Sequence, residues 1–569
     1  MISDKIKKNA DQAIDRLQAV KNHWAQLPVD NKIKMLNGVL EKTGEYAQQW
    51  VDLSLKHKKL KAGSPYAGEE WSTGPWALAY AVTEYIRTLK HIQSDTLSKL
   101  IKKTSRRGDG QLKVKVFPSN FYENLLFNKI RGEVWMQKGI TSENLEQHMA
   151  SFYKQQNPKG KVCLVLSAGN INSIPPLDVL YKLFIKGEVV LLKMNPVNDY
   201  LIPVFEKIFE SFITTGYFKI VNGGAGEGEY LTSHPGIDTI HITGSEKTHN
   251  AIVYGSGEEG KKRRENKNSI LDPEKTITSE LGGIGPLIVV PGPWSKADVK
   301  FQAENIVTAK LHNGGHNCVA SQVLILPGNW DKSQDILDAV RQKMESLPYR
   351  EAYYPGSADR QKEAMKAYPG AEQLTGDVPR TLITGIKPLN PDEYAFRHEF
   401  FGAVYAQTNI AGNTPTEYMQ NAVRFCNEKL NGTLGATILI HPKTMKAMGG
   451  ELENCIADLK YGTVAVNVWN AVAFLLPQCP WGAFPGHTYD DIQSGIGVVH
   501  NSLMFDKPEK TVLYGPFRTL PRALNLSPPR PPWFVTNTTA NSTMKRITKF
   551  AVKPQIIRLP GILISALRG

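Results

Sequence analysis

Four short segments hold residues whose chemistry depends on where the chain puts them. Cys318 ends the run NGGHNC, with glycines before it and the apolar run VASQVLIL after it. A thiol held between a helix and a strand can present its sulfur as a nucleophile. Buried, it is only a small apolar side chain. Glu280 lies in TITSELGGIGP. A carboxylate at a strand end, just before two glycines, can face a cleft and activate a water. Asn170 follows KVCLVL in LSAGNINSIPP, and an amide there can donate to a developing oxyanion. Gly244 and Ser245, in ITGSEKTH, close a strand and open a helix. The free N–H groups of a helix start suit a phosphate. A fifth run, GGAGEGE with Gly224 and Gly228, looks like a dinucleotide fingerprint but does not satisfy GxGxxG.

Taken together, in this order and at these spacings, the segments resemble the aldehyde dehydrogenase superfamily over roughly residues 15 to 500. Further pieces carry the likeness: EVVLLKMNP with Lys193, HEFFGAVYA with Glu399, Phe401 and Gly402, VNVWN with Asn467, then PWGAFPG and SGIG. The resemblance implies oxidation of an aldehyde to a carboxylic acid with NAD or NADP. It makes Cys318 the nucleophile that forms a thiohemiacetal and then a thioester. Asn170 and the backbone N–H of Cys318 become the oxyanion donors, and Glu280 the base for the hydrolytic water. It puts Lys193, Ser245 and Glu399 on the cofactor, with Gly224, Gly228, Gly244 and Phe401 at its site. No metal is expected. A homodimer or homotetramer is the implied assembly.

The chain departs from the family pattern in three places. Ala168-Gly169 stands where many members carry Pro-Trp, and Pro196 where NAD-preferring members often carry a glutamate. Losing that acid removes one reason to reject a 2′-phosphate, so NADP fits as well as NAD. Between Gly244 and Glu280 lies the charged stretch GSGEEGKKRRENKNS, expected to be a solvated insertion loop. Two other readings stand beside the first. An acylating dehydrogenase or fatty acyl-CoA reductase would pass the thioester to a thiol instead of water. Such relatives often lack the base, so Glu280 favours hydrolysis. A non-catalytic binding homologue is opposed by the joint presence of Cys318, Glu280 and Asn170. Phe121, Tyr122, Trp469 and Phe474 could line an apolar tunnel for a hydrophobic aldehyde, and ordinary core packing explains them equally well.

These residues need elements to hold them. From about Lys161 to Ile288 the apolar runs KVCLVL, EVVLLK, YFKIV, IDTIHIT and PLIVV alternate with amphipathic stretches such as 176–186 and 201–214. That alternation predicts βαβ units and a mainly parallel sheet, which binds ligands beyond its strand carboxyl ends. A second α/β region follows, with helices expected near 296–312 and 331–344. Residues 1 to about 105 read as packed helices, with Asp30 as an N-cap, and LKVKVF as a strand. The alternation gives an α/β fold, and the resemblance implies two domains of open, mainly parallel sheets and a small oligomerisation arm. The expected divisions are a helical layer with the cofactor domain over 1–284 and a catalytic domain over 285–475. A return segment or arm over 476–514 and a basic, Pro-rich tail over 515–569 complete the chain.

Composition narrows the class. Of 569 residues, 41% are hydrophobic and 21% charged, which argues against disorder and a polytopic membrane protein. The start MISDKIKKNADQ has no apolar h-region, so no secretory signal is expected. The five cysteines form no CxxC pair or disulfide framework, which points to a reducing, cytoplasmic setting. The net charge is +14, but nine basic and no acidic residues fall between Gly515 and Gly569. The basic character therefore belongs mainly to the tail and gives no case for nucleic acid. LSPPRPPW and TNTTANSTM read as linker. MKRITKF and IIRLPGILISALRG mix cations with apolar residues, as a peripheral membrane contact or a subunit contact would.

Overall fold

The computed structural model describes residues 3–375, 379–519 and 529–569. Two sheets organise the chain. The first has six strands in the order Gly495–Ile496, Thr276–Leu281, Thr239–Gly244, Val162–Leu166, Val189–Lys193, Phe218–Val221. All neighbours in it are parallel except the short Gly495–Ile496, which runs antiparallel to Thr276–Leu281. Strand order reverses beside Val162–Leu166. The next strands in sequence lie on one side of it, and Thr239–Gly244 and Thr276–Leu281 on the other. That reversal opens a crevice at the carboxyl ends. Asn170 and Ser245 follow the two strands that flank it.

The run PLIVV, grouped by sequence with this first sheet, lies in the other one. Gly285–Val289 sits inside an eleven-stranded sheet, between Gly435–Leu439 and Ser321–Pro327. The chain thus crosses from one sheet to the other at Gly282–Gly283, just after Glu280. Gly282 has a physical reason to be glycine, because a Cβ there would run into the Glu399 carboxylate. The strands Leu112–Phe117, Arg131–Met136 and Pro508–Tyr514 extend the large sheet as an antiparallel flank. Pro508–Tyr514 in turn pairs in parallel with Thr463–Val466 of the same chain.

Several local expectations change. Asp30 lies inside the first turn of the helix Val29–His57 and accepts from Gln93, while Pro28 stands at the cap. The stretch 201–214 forms two helices, Ile202–Ile208 and Glu210–Thr215. The backbone leaves helical geometry at Phe209, whose buried ring packs against Phe212 and Phe218. The charged insertion is a helix over Gly257–Glu265, not a loop. Exposed i,i+3 and i,i+4 ion pairs, Lys261–Glu258 and Arg263–Glu259, run along it.

The tail also differs from its sequence reading. Residues 520–528, which include part of the Pro-rich run, lie outside the described residues. TNTTANSTM is not linker: it leads into the helix Ala540–Val552, which buries Thr543, Met544, Ile547 and Phe550. That helix packs on Ala67–Trp71 of the same chain, so closely that a Cβ on Gly68 would strike Ala540. Arg530 makes a two-point contact with Glu304, at 2.6 and 3.1 Å, and Thr536 donates to the same carboxylate at 2.7 Å. A buried carboxylate held by a bidentate guanidinium is a geometrically specific anchor. The tail therefore docks on its own body. Among the described residues no helix is long and apolar enough to cross a membrane.

Candidate active site

Cys318 stands in the loop between the helix Lys296–Leu311 and the strand Ser321–Pro327. The loop turns tightly: Asn313, Gly314 and Gly315 all have positive φ. Gly315 is needed twice, for its φ of 81° and because a Cβ would collide with the Gly402 carbonyl. The half-buried Cys318 Sγ lies 3.4 Å from Glu280 Oε1. Glu280 enters from the other sheet, one residue before the end of Thr276–Leu281, opposite Gly495 of the SGIG segment. Trp469, from VNVWN, donates to the Val319 carbonyl at 3.2 Å and steadies the residue after Cys318.

Electrostatics separates the two groups. Burial pushes the Cys318 thiol well above its ordinary value, and the Glu280 and Glu399 charges add to the rise. Burial, with a smaller push from Asp178, raises Glu280 to about 7. A carboxylate poised near neutrality beside a thiol is a suitable proton acceptor. His316, two residues before the cysteine, is pulled down to about 3 by burial, so the neutral ring is no rival base. Cys163, Cys426, Cys455 and Cys479 are buried, and their thiols are raised by burial.

Asn170 is buried and shares a cleft of about 770 Å³ with Cys318 and Glu280. One Nδ2 hydrogen donates to the His316 carbonyl at 3.0 Å, which fixes the amide plane beside the cysteine loop and leaves the second hydrogen for a ligand. Gly244, Ser245, Glu399 and Phe401 line the same cleft. Ser245 caps the helix Glu246–Tyr254, accepting from Thr248 N at 3.3 Å. Glu399 is raised to about 8 by burial, against the pull of Lys310 and Arg360, and its Oε1 has no partner. Phe401 has φ 41°, uncommon for a bulky residue. Arg360 holds that turn by donating to the Phe400 and Phe401 carbonyls at 3.1 and 3.2 Å. Arg264, from the charged insertion, reaches the cleft rim and pairs with Glu246 at 2.8 Å.

Lys193, Gly224 and Gly228 are not among the residues lining that cleft. They form a neighbouring group at the next strand ends. A Cβ on Gly228 would touch the Lys193 side chain at 3.8 Å, and Glu227 accepts from the Gly224 N–H at 2.7 Å to start the helix Ala225–Ser233. Of the aromatics read as tunnel candidates, Trp469 and Phe474 adjoin Cys318. Phe121 is exposed, and Tyr122 packs against Phe550 of the tail.

A family model described as the aldehyde dehydrogenase family matches residues 78–482. The chain belongs to the aldehyde dehydrogenase family. A Staphylococcus haemolyticus protein whose name provisionally calls it an aldehyde dehydrogenase is 25% identical over 337 residues, covering 55% of this chain and 62% of its own length. A solved NAD-dependent aldehyde dehydrogenase of Sinorhizobium meliloti superposes with TM-score 0.59 and 15% identity, over 89% of this chain and 86% of its own. A Mycobacterium tuberculosis aldehyde dehydrogenase solved with NAD+ gives TM-score 0.59 and 17% identity, over 91% of each chain.

In this member of the family the N-terminal helices do more than pack. Lys58, at the end of Val29–His57, is buried and bonds Glu70 at 2.8 Å, the Asn313 Oδ1 at 3.1 Å and the Asn170 carbonyl at 3.4 Å. Tyr353 donates to the same Asn170 carbonyl at 2.9 Å. Glu69 pairs with the buried Arg350 at 2.5 Å and accepts from Asn313 N at 3.1 Å. These groups brace the loop carrying Asn170 against the loop carrying Cys318. Sequence reasoning missed them because an isolated lysine after a helix resembles a solvated end. The one available signal was the acidic pair Glu69-Glu70 between Tyr66 and Trp71, an arrangement that suits buried, paired charge. Lys58→Ala leaves Glu70 buried without its cation. It is expected to lower unfolding free energy by about 3–5 kcal/mol, measured by urea titration.

Proposed function

We propose that the chain oxidises a hydrophobic aldehyde to its carboxylic acid, with NAD or NADP as the oxidant and the acyl group carried on Cys318. The 3.4 Å approach of Cys318 Sγ to Glu280 Oε1 carries this reading. The dinucleotide fits what the cleft offers: an unpartnered, buried Glu399 oxygen and the exposed helix start at Ser245. Ser245 and Glu399 would hold it, with Lys193 toward its ribose and Gly244 and Phe401 against it. Gly224 and Gly228 would flank the Lys193 end. Pro196 offers no acid against a 2′-phosphate. When bound, the nicotinamide supplies the hydride acceptor.

The chain's own residues do the rest. Glu280 takes the thiol proton as Sγ adds to the aldehyde carbon. The free Asn170 N–H and the Cys318 backbone N–H receive the oxyanion. Glu280 releases that proton to solvent and, ionised again, takes one from the water that attacks the thioester; the departing Cys318 thiolate recovers this proton as the acid leaves. Both roles need the ionised carboxylate. With Glu280 near 7, kcat is expected to rise with pH below that value, up to tenfold per unit, and to level above it. A pH–rate profile from 5.5 to 9 checks this, and a flat profile contradicts it.

The assay that tests the function is absorbance at 340 nm with aldehydes of increasing length, NAD or NADP, with and without coenzyme A. Reduction that needs no coenzyme A supports hydrolysis. Reduction only with coenzyme A moves the reading to an acylating enzyme. For a homo-oligomer, the flank strands are already paired with their own sheet through Pro508–Tyr514. We therefore assign contact between copies to faces other than that pairing edge.

A further inference from the structure

Cys318 borders two spaces. Beyond the cofactor side of the cleft lies a small chamber of about 40 Å³ walled by Ile174, Trp469, Phe474, Trp481 and Trp533, with Cys318 on its floor. A second, larger groove of about 250 Å³ lies farther out. Val472, Leu475 and Trp533 line both, so the two spaces adjoin across those three side chains. One side of the outer wall comes from the C-terminal segment: Pro531–Phe534, then Met544 and Ile547 of one helix, then Leu563, Ala566 and Leu567 of the helix Leu559–Leu567; the rest comes from the body of the chain, including Trp76, Phe127 and Phe301. Leu567 is 66% exposed, so the groove opens to solvent there. Trp533 is held in place by its neighbours, because Val535 N donates to Thr308 at 3.1 Å and Arg530 is locked to Glu304.

We propose that residues 529–567 complete a channel for the hydrocarbon tail of a long, unbranched aldehyde. The aldehyde carbon sits at Cys318, the first methylenes fill the inner chamber, and the chain passes Trp533 into the outer groove. This deepens the reading that the chain oxidises hydrophobic aldehydes and rests on it. The occupant follows from shape and chemistry. The inner chamber between indole and phenyl rings is too narrow for a bulky head and suits a polymethylene chain. The outer groove has predominantly apolar walls, and among the described residues that line it Arg530 is the sole cation, already paired with Glu304. Burying successive methylenes against such walls raises affinity severalfold each. Apolar residues at the mouth then need no second protein to explain them.

The test uses the full chain. For wild type, kcat/KM with NAD or NADP is expected to rise at least about 30-fold from hexanal to dodecanal. Ala566→Trp fills the outer groove from a helix surface, and Trp533→Ala widens the passage. The first is expected to reduce the dodecanal-to-hexanal ratio at least tenfold. Ile557→Ser, 85% exposed outside the groove, should leave the ratio as in wild type. Binding of dodecanoate and hexanoate, followed by tryptophan fluorescence with Trp533→Phe as control, separates the channel from catalysis. Chain-length-dependent binding weakened by Ala566→Trp supports the channel even if no aldehyde is turned over. Turnover without chain-length preference, or binding unaffected by Ala566→Trp, overturns the channel while leaving the oxidation reading intact.

Discussion

Cys318→Ala is expected to lower aldehyde-dependent reduction of NAD or NADP by at least about 10⁴-fold, with folding intact. No other cysteine is placed to take over the role proposed for Cys318. The other cysteines are buried, and none lines the cleft. Cys318 is also not a packing centre: its side chain is half-buried between the cleft and the small chamber. Removing one sulfur there costs little structure, so circular dichroism and the thermal midpoint should stay close to wild type. Residual turnover within tenfold of wild type would move the chemistry away from Cys318.

Glu280→Gln has the second large effect and a different signature. Glutamine keeps the size of the side chain but cannot accept a proton. Steady-state turnover is expected to fall about 10²–10⁴-fold, the usual worth of a general base. The loss should be larger in hydrolysis than in acylation, because hydroxide from the open cleft can still take the thiol proton; the first turnover is slowed but appears as a burst before later ones stall. Rapid-mixing absorbance at 340 nm resolves the two phases. The pH dependence near 7 should vanish with the carboxylate, because burial holds that group at about 7 in the wild type. A variant that slows the burst and the steady state equally would show Glu280 acting only on the thiol.

Much of this site was legible because its parts lie in contiguous runs. TITSELGG and LSAGN place Glu280 and Asn170 at or just beyond strand carboxyl ends of one sheet, which βαβ alternation predicts to gather on one edge, whereas Cys318 precedes the amino end of Ser321–Pro327 in the other sheet. The chain passes from one sheet to the other at Gly282–Gly283, and PLIVV, grouped by sequence with the first sheet, lies in the second. A buried apolar strand carries no mark of which sheet it joins. Pairing partners are set by contacts far along the chain, here Gly285–Val289 with Gly435–Leu439 and Ser321–Pro327.

What stayed hidden was long-range charge and long-range packing. Lys58, Glu70, Arg350 and Tyr353 come from separate segments and meet only behind Asn170. Each alone reads as a surface residue, and only their burial together gives them a role. The tail was misjudged for a similar reason. A basic, proline-rich stretch resembles a linker by composition, yet Arg530 meets the buried Glu304, and the helix Ala540–Val552 covers Ala67–Trp71. Met544, Ile547 and Phe550 of that helix are buried against the chain's own body, while Ile556, Ile557 and Leu567 stay exposed.

The central claim is that an acyl group is carried on Cys318 and released by Glu280. The most direct measurement is peptide mass mapping of Glu280→Gln after brief incubation with NAD or NADP and a short aldehyde, without coenzyme A. The account predicts one acyl mass on the peptide containing Cys318, close to one per chain, which fades slowly on standing. No adduct alongside undiminished cofactor reduction, or an acyl group on another cysteine, would contradict it.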